Sequence, residues 1–200
     1  MNNMMDHKKN ALNAIGNTPL VRLDKIVPSN LAEVWVKLEG SNPTGSYKDR
    51  MALSVLTSAI ERGELSPGDT VIEYTGGSTG TALAFVSAVL GIKFIAVFSD
   101  AFSKSKQLAM EAFGAKVIVI KSQDGVITPD LIQRMKVRAY EMAEKPNTYY
   151  ADQFGSPEVR SGYKALGIEI AQTLDGDLDL FCSAVGTGAA LMGSYDGLVE

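Results

Sequence analysis

Residues 70–98 read TVIEYTGGSTGTALAFVSAVLGIKFIAVF. Thr70 to Tyr74 forms a short strand by its residue pattern, and Gly80 to Leu90 a strongly apolar helix. Lys93 to Phe98 is a near-continuous apolar strand, as expected where both faces of a sheet are covered. A strand, a helix and a buried strand in succession make a parallel βαβ unit. The fold class is therefore α/β with an open parallel sheet.

The alternation extends outward on both sides. Upstream, Glu33 to Glu39 (EVWVKLE) alternates apolar and polar residues like a strand, and Ser46 to Arg62 has helical spacing. Downstream, Lys104 to Phe113 predicts a helix ended by Gly114, and Lys116 to Ile120 a buried strand. Thr128-Pro129-Asp130 opens a helix running to about Lys145, with Pro in its first turn. Thr148 to Tyr150 is a short strand and Pro157 to Leu174 a helix. Asp179 to Val185 is a strand, and Ala189 to Val199 begins a helix. The segment Gln153 to Pro157 is the best candidate for a boundary, because it follows the last strand of the first alternating run.

Composition narrows the function classes. The chain has 200 residues, 46% hydrophobic and 21% charged, enough apolar content for a packed core. Its formal charge is −4 with Lys and Arg scattered, so no basic stripe offers itself to nucleic acid. The apolar stretches fall far short of the ~18 residues that cross a bilayer. The polar tail, residues 1–10, has no apolar core of a secretory signal. One cysteine, Cys182, excludes an internal disulfide and fits a reducing cytoplasm. It sits within the predicted strand and reads as core. The one histidine, His7, lies in the tail, which nearly excludes histidine-based metal sites and Ser-His-Asp chemistry.

Ligands of an open α/β sheet bind beyond the carboxyl ends of its strands. Three loops there stand out. Gly40 to Arg50 (GSNPTGSYKDR) leads from a strand into a helix, with Ser46 able to cap and Asp49 suited to the first turn. Lys48 then sits at the positive end of the helix dipole, which favours the neutral amine that Schiff-base chemistry needs. A solvated lysine on a capped helix has the same spacing and is the commoner case. The loop is not a phosphate-binding P-loop, since Ser46 stands where that motif needs Lys. Thr75-Gly76-Gly77-Ser78-Thr79-Gly80 joins a strand to a helix through small residues, leaving backbone N–H groups free for a carboxylate or phosphate. Gly186-Thr187-Gly188-Ala189-Ala190 repeats that arrangement, but Leu191 replaces the third Gly of a dinucleotide fingerprint. A plain tight turn with an N-cap fits both segments as well. Ser103 to Lys106 and Ser161 to Lys164 match S-x-x-K without the companion motifs and carry no weight. One lysine and two anion-cradling turns suit pyridoxal 5′-phosphate (PLP) acting on amino acids. That cofactor needs an amine for its aldehyde and an anion site for its phosphate.

At these residues the chain resembles the cysteine synthases (O-acetylserine sulfhydrylases). Ile15 to Leu23 (IGNTPLVRL) is similar to their N-terminal signature, and Asn42 to Arg50 to their N-P-x-G-S-x-K-D-R, whose Lys carries PLP. Thr75 to Gly80 resembles T-S-G-N-T-G, which holds the substrate carboxylate, and Gly186 to Ala190 the phosphate cup G-T-G-G-T. Gln153 matches a Gln of the substrate site. Against the family pattern, Ser78 replaces Asn and Gly76 replaces Ser. In the cup, Ala189 and Ala190 replace Gly and Thr.

The resemblance implies a fold of the tryptophan synthase β-like type, with two domains built on open parallel sheets. Residues 45–154 would form the small α/β domain. Residues 11–44 and 155–200 would belong to a large PLP-binding domain that is incomplete in this chain. It implies PLP on Lys48, further held by Ser78, Gly186, Thr187, Gly188, Ala189 and Ala190. The substrate would be held by Thr75, Gly76, Gly77, Ser78, Thr79 and Gln153. The implied reaction is β-replacement on an O-activated serine, with Lys48 taking the Cα proton and sulfide or another nucleophile adding. A cystathionine β-synthase-like lyase, or an inactive relative acting as a binding module, are the alternatives. The expected partners are an amino acid, the nucleophile and a second copy of the chain as a homodimer, with no nucleic acid and no membrane. Family members are longer, and their partner for the pyridine nitrogen lies beyond the stretch matched here. The 200-residue chain alone is therefore expected to be a poor enzyme that self-associates.

Overall fold

The computed structural model describes residues 10–28 and 30–200. His7 and most of the polar tail lie outside the described residues. Asn10 belongs to the fold: its side chain accepts from the Leu12 amide at 2.9 Å and caps a 3-10 turn, Ala11–Ala14.

Two short strands, β1 (Leu20–Arg22) and β2 (Trp35–Lys37), pair antiparallel, with Val21 opposite Val36. The strand expected over Glu33 to Glu39 is thus confined to its centre. Helix α1 (Lys48–Glu61) follows and buries Met51, Ala52, Val55, Leu56 and Ala59 along one face. The main sheet is built from β3 (Thr70–Tyr74), β4 (Lys93–Ser99), β5 (Lys116–Ile120) and β6 (Thr148–Tyr150). All neighbours are parallel, and the order is β5-β4-β3-β6. Helices α2 (Ser78–Leu90), α3 (Lys104–Ala112) and α4 (Pro129–Ala143) make the crossovers. One core cluster gathers α1 and α2 side chains against the sheet; a second sets Leu131, Met135, Ala139 and Met142 of α4 against Ile72 and Val97. Helix α2 is buried nearly all round, which explains its near-uniform apolar sequence.

Two of the sequence signals at helix ends hold, whereas α1 starts at Lys48 with Tyr47 in the N-cap position and no side-chain cap bond, so Ser46 is not the N-cap expected. Thr128 accepts from the Leu131 amide at 3.1 Å and caps α4. Gly114 takes a left-handed φ of 85° just past α3 and donates to the Glu111 carbonyl.

Three further expectations fail. The helix expected over Pro157 to Leu174 is two helices, α5 (Pro157–Ser161) and α6 (Lys164–Thr173). The break falls at Gly162, where an added Cβ would lie 2.8 Å from Ser54 and 3.0 Å from the Arg50 carbonyl, so α5 is turned onto α1. Asp179 to Val185 forms no strand. A strand exists only where a neighbour takes its ladder bonds, and among the described residues none pairs with this segment. Cys182 accordingly is exposed and not core. The final helix, α7 (Ala189–Leu198), forms as expected and packs closely on α6. The seam is made of glycines: an added Cβ at Gly167 would meet the Ser194 carbonyl at 1.9 Å, and one at Gly197 the Lys164 carbonyl at 2.0 Å.

Candidate active site

The strand order reverses between β3 and β6: from β3 the chain runs on to β4 and β5, then returns to the other side of β3. In open parallel sheets the crevice for ligands lies at such a reversal, beyond the carboxyl ends of the strands. The segments leaving those two ends are Thr75-Gly76-Gly77 and Ala151-Asp152-Gln153.

They are joined directly. The Thr79 hydroxyl donates to Gln153 Oε1 at 2.8 Å, and Gln153 Nε2 donates to the Tyr74 carbonyl at 3.0 Å. Both residues are buried. Thr75 Oγ1 accepts from the Gly77 and Gly80 amides, each at 3.1 Å. These two N–H groups, expected to be free for an anion, are therefore spent on the turn itself; the amides of Ser78 and Thr79 take no part in those bonds. Gly76 is exposed but closely roofed: an added Cβ would lie 2.9 Å from Phe102 Cε1. Phe102 packs in turn on Phe98, with ring centroids 5.5 Å apart. Ser78 begins α2 and is half-buried.

Lys48 opens α1, its amide donating to Ser46 Oγ at 3.2 Å. Its side chain is half-buried, and burial holds the ammonium below its ordinary pKa. The amine lies 5.0 Å from the centroid of the Tyr47 ring, and no carboxylate among the described residues pairs with it. Burial thus adds to the helix-dipole effect expected from the sequence.

A buried ionic cluster lies beside Lys48 in the sequence. Arg50, two residues on, has a side chain only 3% exposed and is gripped by two carboxylates. Its Nε donates to Glu39 Oε2 at 2.7 Å, and its Nη1 to Glu169 Oε1 at 2.7 Å. Burial pushes the Glu169 carboxyl up, but bonds from Arg50, Lys37 and the Asn17 amide outweigh it and bring the pKa down to about 2. Gly16, at φ 86°, donates its amide to Asn42 Oδ1 at 2.9 Å, and an added Cβ there would sit 3.1 Å from Arg50. Asp49 accepts from the Thr44 amide at 2.8 Å and from its hydroxyl, which folds the loop back onto the start of α1. The signature Ile15 to Leu23 and the loop Asn42 to Arg50 are therefore one structural unit closed by Arg50.

The turn Gly186-Thr187-Gly188 is largely open, with space around both glycines, and leads into α7. Ala189 and Ala190 pack against the main core, which includes Tyr163, and the Tyr163 ring lies 5.6 Å from that of Tyr47. Helix α1 is the hub: it packs on α2, which carries the Thr75–Thr79 turn, and on α5, which packs on α7. Among the described residues no hydrogen bond joins Lys48 Nζ to either turn. The structure joins the 75–79 turn to Gln153 by direct contact, and the other two segments through shared packing.

Two groups were not singled out in the sequence. Glu169 lies on α6, 119 residues from Arg50. Glu73 is the fourth of the five residues of β3 and is fully buried. A carboxylate inside the apolar run TVIEY was the available signal for Glu73; nothing local marked Glu169.

A family profile described as pyridoxal-phosphate dependent enzyme matches residues 11–200. The chain belongs to this family. It is 41% identical over 180 residues to cysteine synthase B of Escherichia coli (strain K12), covering 90% of this chain and 57% of that protein. It is 39% identical over 184 residues to O-ureido-L-serine synthase of Streptomyces lavendulae, covering 91% and 55%. Among solved structures, O-ureido-L-serine synthase superposes with a TM-score of 0.84 at 37% identity, over 95% of this chain and 58% of that one. Cysteine synthase from Entamoeba histolytica does so at 0.84 and 34%, over 95% and 56%. The chain thus spans a little over half the length of the relatives it matches. The α/β architecture with a parallel sheet is the one these structures share.

The residues present fit the family's cofactor. A half-buried amine without a carboxylate partner among the described residues suits its aldehyde, and an open helix-start turn with the Thr187 hydroxyl suits its phosphate. Among the described residues no group of three His, Cys, Asp or Glu could hold a metal, and no helix is long and apolar enough to cross a membrane.

Proposed function

We propose that this chain serves PLP-dependent β-replacement on an O-activated serine, as its likeness to cysteine synthases suggests. Carrying the proposal is Lys48: a half-buried amine at a helix start, two residues from the Arg50 cluster and without a carboxylate partner among the described residues. Lys48 would hold the cofactor through its amine, and Gly186, Thr187, Gly188, Ala189 and Ala190 would hold its phosphate. Ser78 would stand in the place of the family's ring-contacting Asn. When bound, PLP supplies an electron sink for bond changes at the substrate's α- and β-carbons.

The chain's own residues do the rest. Thr75, Gly76, Gly77, Ser78, Thr79 and Gln153 bind the substrate carboxylate, using the amides and hydroxyls that the Thr75 and Gln153 bonds leave over. The Lys48 amine, whose ammonium form burial disfavours, takes the proton from Cα. With O-acetyl-L-serine and sulfide the products are cysteine and acetate. Similarity to O-ureido-L-serine synthase favours, as a second reading, the same replacement with a nucleophile other than sulfide.

The proposal includes a domain layout. Residues 45–154, which carry all four strands of the main sheet, form the small domain; 11–44 and 155–200 contribute to the large one. It also includes a homodimer and a reducing, cytoplasmic setting, which suits an exposed cysteine.

The test is borohydride reduction of the PLP-loaded chain, mapping of the adduct by mass spectrometry, and assay of cysteine from O-acetyl-L-serine and sulfide. The adduct is expected on Lys48, and Lys48→Ala is expected to lack it and to make no cysteine. An adduct on another lysine, or turnover undiminished in Lys48→Ala, overturns the proposal.

A further inference from the structure

Glu73 occupies the central strand β3 and is 0% exposed, in register with Ala96 of β4. Its Oε2 accepts from the Gln153 amide at 2.9 Å, while its Oε1 has no hydrogen-bond partner among the described residues. A buried carboxyl without a cation is among the most costly groups a core can hold, and an apolar residue of like size would fit a strand better. Such a residue persists where its acceptor is needed.

The need is visible next to it. The chain leaves β6 at Tyr150 and turns sharply at Asp152, which takes a left-handed φ of 48°. Asp152 then accepts from the Gly155 amide at 3.2 Å and the Ser156 amide at 3.0 Å. A left-handed conformation at a residue other than glycine persists when its surroundings over-determine it. The Ala151 amide, donating to the Ile72 carbonyl at 3.1 Å, ties the turn to the sheet before Asp152, and the Glu73 bond ties it immediately after. From there the Gln153 side chain reaches the Tyr74 carbonyl and the Thr79 hydroxyl.

The geometry points to Glu73 as a positioning residue: by holding the Gln153 backbone it sets the Gln153–Thr79 bond, and so the shape of the Thr75–Thr79 turn that receives the amino-acid carboxylate. This rests on the proposed assignment of that turn to the substrate. Glu73 touches neither substrate nor cofactor in this role. Burial, with Asp152 adding to it, raises its pKa to about 8, so an uncharged acid occupies the position at neutral pH. Glu73→Gln, also uncharged, keeps the acceptor; Glu73→Met keeps the volume and loses it.

The experiment compares these variants with the parent, using amide hydrogen exchange at Gln153 and half-saturation by O-acetyl-L-serine in the PLP-loaded chain. In Glu73→Met, loss of one buried bond is expected to speed Gln153 exchange and raise half-saturation by about tenfold each. Exchange in β5, which is not paired with β3, and turnover at saturation should change by less than about threefold, as expected for a site that does not share these partners. Glu73→Gln should recover both quantities, and Gln153→Ala should add little on top of Glu73→Met. If Glu73→Met fails to fold, Glu73→Asp, one methylene too short to reach, carries the same expectations.

Unchanged exchange at Gln153 overturns the role. So does a half-saturation that stays fixed while stability falls, or additive effects of Glu73→Met and Gln153→Ala. The exchange measurement needs neither cofactor nor substrate. A parent that carries no PLP on Lys48 therefore counts against the proposed function, and the exchange result still decides the hold on Gln153.

Discussion

The Thr79 hydroxyl and the Gln153 side-chain carbonyl, 74 residues apart in sequence, meet at 2.8 Å where the strand order of the main sheet reverses. Each residue leaves the carboxyl end of a different strand. Their bond ties the Thr75–Thr79 turn to the segment that follows β6.

Thr79→Val removes the donor and leaves Gln153 Oε1 buried without a partner. The expected stability loss is about 1–3 kcal/mol, the cost of an unsatisfied buried polar group. Half-saturation by O-acetyl-L-serine should rise with it. Urea unfolding and steady-state kinetics check the two effects, and Thr79→Ser should recover most of both.

The Arg50 cluster predicts an acid-dependent stability. Glu169 has a folded pKa of about 2 against an ordinary value of 4.5. A carboxyl with a depressed pKa stabilises the fold above its unfolded pKa, and the contribution disappears as pH falls through the folded value. The loss is therefore expected between about pH 4.5 and about pH 2. Glu39, also lowered once its bonds to Arg50, Thr18 and Asn42 outweigh burial, acts in the same direction. In Glu169→Gln the urea midpoint should depend less on pH across this window. Arg50→Met, which strips the cation from both carboxylates, should cost about 3–5 kcal/mol at neutral pH.

Gly197→Ala tests the seam between α6 and α7. Its Cβ would stand 2.0 Å from the Lys164 carbonyl, a backbone atom that cannot rotate away. The two helices must separate, at a cost of about 1–3 kcal/mol or more. Since α7 begins at the Gly186–Ala190 turn, PLP retention should fall together with the melting temperature. A lowered melting temperature with full retention would separate the seam from the phosphate site.

Gly76→Ser would restore the residue of the cysteine synthase pattern but place its Cβ 2.9 Å from the Phe102 ring. The ring is braced by Phe98, so strain of about 1–3 kcal/mol is expected. Phe102→Leu in the same chain should relieve part of it. A double-mutant cycle by thermal melting measures the coupling, and additive effects would show that Phe102 is not what makes Gly76 necessary here.

Local information was enough for much of the fold. The strands Lys116–Ile120 and Thr148–Tyr150 have the bounds that their apolar runs and flanking turns predict. The α4 start at Pro129 follows from Thr128 and Pro129 alone. Side-chain period and capping chemistry act over a few residues, so they are written in the sequence directly. The same holds for Lys48 at a helix start and for the two turns rich in small residues. Only the tertiary structure decided which strand lies beside which. Pairing β6 with β3 brings Gln153 to Thr79 and Glu73, and nothing within either segment encodes that neighbour. Asp179 to Val185 has a strand's composition but, among the described residues, no strand's partner, so its backbone stays irregular and Cys182 is exposed. Propensity belongs to the residue, whereas a ladder of hydrogen bonds, a buried carboxyl or an ion cluster such as Arg50 with Glu39 and Glu169 belongs to segments that only folding brings together.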